Sequence, residues 1–89
     1  MKAVITVIGK DTVGIIAKVS AECAKYSVNI IDITQSVLKE YFAMIMLVDT
    51  ATMNVPFSDF SAKLDELGKA DALDIRVMHE DIFNAMHKI

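Results

Sequence analysis

Apolar residues change their period several times along this chain, and each change marks an element. Residues 3–8, Ala-Val-Ile-Thr-Val-Ile, are dominated by β-branched side chains and end at Gly9. That is the pattern of a buried strand stopping at a loop. The period then lengthens: Ile15, Ile16, Val19, Cys23 and Tyr26 recur on one helical face while Lys18, Glu22 and Lys25 take the other, and Asp11 and Thr12 are both competent N-caps. After Ser27 the period drops to two. Ile31, Ile33 and Val37 alternate with Asp32, Thr34 and Ser36 in a half-buried strand that begins near Asn29 or Ile30, with Lys39 and Glu40 as its turn. Residues 41–48 follow as a strand that is apolar on both faces, Phe42, Met44, Met46 and Val48 on one and Ala43, Ile45 and Leu47 on the other.

Pro56 fits the first turn of a second helix, in which Phe57, Phe60, Leu64 and Leu67 keep helical spacing and Gly68 reads as the stop. Leu73, Ile75 and Val77 alternate with Asp74, Arg76 and Met78 in a last strand. From Asp81 onward, Ile82, Phe83, Met86 and Ile89 form one stripe of a short amphipathic helix. The order is β-α-β-β-α-β plus a terminal helix. Right-handed crossovers applied to that order predict an α+β, ferredoxin-like two-layer sandwich: a four-stranded antiparallel sheet with both main helices on one face. Residues 1–80 are expected to form the domain, and residues 81–89 a helix packing on it or on a neighbouring subunit.

Composition adds a reason to expect assembly. Hydrophobic residues make up 54% of 89 without counting glycine, above the roughly 45 to 50% usual with glycine included. A domain this small buries only about 60 to 65% of its unfolded surface. Some of the apolar surplus is therefore expected to cover an interface. The net charge of −3 disfavours nucleic acid and anionic lipid as partners, and Arg76 is the single arginine. No apolar run reaches the length of a membrane-spanning helix, about 20 residues, and the first run lacks a signal-peptide cleavage pattern. One cysteine, Cys23, cannot pair within the chain. These features lead to an expected cytoplasmic location.

The chemistries open to such a fold mostly lack their residues. Gly9-Lys10-Asp11-Thr12-Val13-Gly14 has the glycine spacing of a phosphate-binding loop, but Ile15 and Ile16 stand where Lys and Ser or Thr are needed. Tyr41 and Phe42 lie where RNA-binding sheets place stacking aromatics, yet the first strand offers none. Cys23, on the inner helix face, reads as a buried, unreactive thiol. His79, Glu80, Asp81 and His87 match no common zinc spacing, and Glu80 and Asp81 read as favourable charges at a helix start. No set of nucleophile and base is present, so no catalytic residue, metal or cofactor is assigned.

The loop before the first helix carries the remaining signal. Asp11-Thr12-Val13-Gly14-Ile15, with Asn29-Ile30 fifteen residues beyond Gly14, resembles the Asp-Arg-Pro-Gly-Ile signature and later Asn-Ile of the ACT domain family. With the tail Glu-Asp-Ile-Phe-Asn-Ala-Met-His, the chain looks most like the short, stand-alone microbial members. Thr12 and Val13 depart from the frequent Arg and Pro. The resemblance implies a regulatory module that associates through its sheet and binds a small molecule, often an amino acid, between two copies. Asp11, Thr12, Val13 and Gly14 would then form one wall of the site, and Asn29 and Ile30 of a neighbouring copy the other. Read from the residues alone, the same positions also serve as helix cap, close-packing glycine and turn. The expected partners are the chain itself, as a homodimer or higher oligomer, and an amino acid or related metabolite. An alternative is an interaction module, without a small ligand, that docks on a metabolic enzyme or regulator.

Overall fold

A computed structural model describes residues 1–10 and 14–86. The elements run β1 (Lys2–Lys10), α1 (Ile15–Lys25), β2 (Asn29–Leu38), β3 (Tyr41–Asp49), α2 (Phe57–Ala70), β4 (Asp74–His79) and α3 (Glu80–Met86). The four strands form one antiparallel sheet in the order β2-β3-β1-β4, the ferredoxin-like arrangement expected from the pattern.

Alternation divides the sheet into two faces with different fates. Ala3, Ile5 and Val7 of β1 and Met44, Met46 and Val48 of β3 are fully buried and point at the helices. They meet Ile15, Val19 and Cys23 of α1 and Phe60 and Leu64 of α2 in one cluster. Tyr26 packs edge-on against Phe60, ring centroids 6.0 Å apart, and joins the two helices over the sheet. On the opposite face Ile8, Tyr41 and Ile45 are about half exposed. The two apolar faces of β3 therefore find one complete cover and one partial one.

Three expectations are corrected. Asp11 and Thr12 lie outside the described residues, and the N-cap position of α1 belongs to Gly14, whose φ of 84° is a left-handed conformation and which supplies no side-chain cap. Gly68 does not stop α2 but sits inside it, buried. A Cβ there would lie 2.7 Å from the Leu73 carbonyl oxygen, so glycine is required for the approach of α2 to β4. The helix ends two residues later, at Ala70, and Ala72 takes the positive φ of 57° that turns the chain into β4.

The third correction concerns β2. Its expected buried face is largely uncovered: Ile31 is 45%, Ile33 37% and Val37 59% exposed. A bulge between Ile30 and Asp32 shifts the register against β3, and beyond it Ile33, Gln35 and Val37 stand opposite Met46, Met44 and Phe42 on the helix-facing side. They share the face of the core. But β2 is an edge strand ten residues long, and the helices do not extend over these side chains.

Candidate functional site

The end of β1, the turn that follows and the start of α1 form the first half of the candidate site. Gly9 is placed by packing, since a Cβ there would lie 2.5 Å from the Leu73 side chain. Gly14 is placed by conformation, since a Cβ would meet nothing within 4 Å while its φ is strained for other residues. The first bond of α1 runs from the Lys18 N–H to the Gly14 carbonyl, at 2.9 Å. The N–H groups just ahead of Lys18 thus have no acceptor within the helix and carry its partial positive charge. Such an end is suited to a carboxylate. Asp11, Thr12 and Val13 lie outside the described residues.

Asn29 and Ile30 form the second half, and the fold puts them elsewhere. Asn29 opens β2 directly after α1, opposite Asp49, with its side chain exposed; Ile30 pairs with Val48 and is half buried against the core. The two halves thus sit at opposite ends of an 11-residue helix, which at 1.5 Å per residue separates them by about 16 Å. One chain does not bring Gly14 and Asn29 together.

Other candidates from the sequence resolve into packing. Cys23 is 1% exposed, and burial, helped by the neighbouring Glu22 carboxylate, pushes its thiol up to about 11. A thiol so protonated and covered is a poor nucleophile. His79 accepts a hydrogen bond at Nδ1 from the Asp81 backbone N–H, 3.2 Å, which makes it a cap for α3. His87 lies outside the described residues, and among the described residues no three metal-binding side chains converge. Phe42 is core while Tyr41, its neighbour, is on the open face. Alternation shows that a face is apolar but not what covers it, so periodicity carries no signal for the exposure of Ile33 and Val37.

Comparison with known proteins agrees with the fold. The profile of the ACT domain matches residues 2–78. A UPF0237 protein from Clostridium acetobutylicum is 49% identical over 89 residues, all of both chains. An ACT domain protein from Streptococcus pneumoniae, of known structure, superposes with a TM-score of 0.81 at 39% identity, covering 98% of each chain. The regulatory subunit of aspartate kinase from Thermus thermophilus shares the fold, with a TM-score of 0.66 at 22% identity over 85% of this chain and 49% of that one. The chain belongs to the ACT domain family, whose members are generally regulatory domains that bind small molecules. Within it, the chain is similar over its whole length to the small UPF0237 proteins.

Proposed function

We propose that this chain is a regulatory sensor that binds an amino acid or related metabolite at a junction between two copies of itself. The observation that carries the reading is the separation of Gly14 from Asn29 along α1, combined with an unpaired β2 edge whose apolar side chains are exposed. Antiparallel pairing centred on the middle of β2 sets Asn29 of one copy opposite the far end of β2 in the other. That far end, through Tyr41, lies level with Lys10 at the mouth of the Gly14 loop. As the resemblance implies, Asp11, Thr12, Val13 and Gly14 of one copy and Asn29 and Ile30 of the other supply the two walls of a shared crevice. The first N–H groups of α1 receive the ligand carboxylate, and the Asn29 amide both donates to and accepts from its headgroup. Ligand at a shared crevice favours the paired state to the extent that it binds that state better. The metabolic enzyme or regulator that reads the change is a further partner in this scheme, and the setting is the cytoplasm.

Calorimetric titration with the amino acids tests the reading. One or a few should give saturable heat that Asn29→Ala reduces about ten-fold or more while the dimer persists, as expected for a lost hydrogen bond to a charged group. No heat and no thermal shift across the set contradicts it.

A further inference from the structure

The sheet face turned away from α1 and α2 carries a second hollow, distinct from the loop site. Cross-strand pairing arranges its floor in rows. Ile45, Thr6 and Arg76 stand side by side on β3, β1 and β4, and the next row is Ala43, Ile8 and Asp74. The helix α3 turns back at His79 and lies over β1 and β4, so that Phe83 and Met86 roof the floor and Met78 closes one side. The chamber so formed, open to solvent on one side, has a volume of about 350 Å³. That is within the range of pockets that hold small organic ligands, about 300 to 1,000 Å³.

Its chemistry is lopsided. Ile8, Ala43, Ile45, Met78, Phe83 and Met86 make the lining apolar, and Arg76, the single arginine of the chain, stands in the floor beside Thr6. Among the described residues the guanidinium is held by one bond, Nε to the Asp74 carboxylate at 3.2 Å, an exposed contact along the same strand. That contact orients the planar group and leaves the Nη N–H donors, the fork that binds a carboxylate or sulfonate in two parallel bonds, directed elsewhere. The two methionines give the wall an adaptable shape.

We infer that the chamber under α3 is a second binding site, for a small molecule with an apolar body and a single anionic head, the body lying between Ile8, Ile45 and the α3 roof and the head on Arg76. The site goes beyond the reading above, since it uses none of the residues 11–14, 29 and 30, and each can fail without the other.

A matched pair of dyes tests it on the whole protein: 1-anilinonaphthalene-8-sulfonate, and N-phenyl-1-naphthylamine, which has the same body without the sulfonate. Saturable fluorescence enhancement is expected with both, displaced by octanoate and much less by octanol. Arg76→Gln should weaken the sulfonate dye about ten-fold or more and leave the neutral dye within about two-fold. Ala43→Phe, which fills the chamber from its floor, should abolish both while circular dichroism stays unchanged. If that variant does not fold, Ile45→Trp fills the same space from the adjacent position. Absence of saturable binding, equal loss of both dyes in Arg76→Gln, or undiminished binding in a folded chamber-filling variant would overturn the inference.

Discussion

At Gly68 helix propensity and packing oppose one another, and packing wins. Alanine in a helix interior is favoured over glycine by about 1 kcal/mol, so the position taken alone invites alanine. The Leu73 carbonyl 2.7 Å from where a Cβ would sit is backbone and cannot rotate away. Gly68→Ala is therefore expected to destabilise the fold by about 1 to 3 kcal/mol, seen as a lower midpoint in urea unfolding. An unchanged or raised midpoint would show that α2 and β4 separate easily.

Cys23 makes a residue-scale prediction about pH. Because its buried thiol keeps its proton to about 11 while the ordinary value is 9.0, the folded state binds more protons than the unfolded state between those values. The stabilisation is fully present below pH 9 and is lost as pH rises through 11, on the order of 2 kcal/mol. Measured against Cys23→Val, the wild-type protein should lose stability faster across this window. Parallel curves for the two proteins would mean that the thiol is not sheltered.

At the scale of elements, most of the fold was legible because local chemistry and tertiary role agree. The β-branched run of β1, the helical spacing of Ile15, Val19 and Cys23, and the two-residue period of β4 each describe a surface that the sheet or a helix covers. The stop at Gly68 was misread because glycine has two uses, ending a helix and admitting a close neighbour, and sequence shows only the residue. For β2 the missing information was the neighbour. Its bulge at Ile31 and its uncovered Ile33 and Val37 depend on where the helices end, which periodicity does not encode. The loop residues proposed for the site come from the resemblance alone, and the distance between Gly14 and Asn29 comes only from the fold.

The exposed apolar edge of β2 is what an unprotected strand offers to another chain. Ile33→Lys, combined with Val37→Lys, places charge on the exposed surface without entering the core. The double variant should remain folded and sediment as a single chain of 9.8 kDa at concentrations where the wild type is paired. A double variant that still pairs would direct attention to another surface, such as α3.

For the molecule as a whole, the parts form one scheme. One sheet face and two helices enclose a single apolar core. In the proposed scheme the β2 edge receives a second copy, and the loop at one end of α1 is completed by Asn29 from the other end of the neighbour's helix. Under this account assembly and ligand recognition are the same event viewed at different distances, which gives a small domain a means of reporting a metabolite through its association state. The chamber beneath α3 lies on the face that this pairing leaves open.

Hydrogen exchange of the β2 amides, followed as the protein is diluted, tests that scheme most directly. The β2 N–H groups not bonded to β3 are predicted to be protected at micromolar concentration and to exchange rapidly once dilution separates the copies, while β1 and β3 stay protected throughout. Rapid exchange of those β2 amides at every concentration, in a protein whose β1 and β3 remain protected, would contradict it.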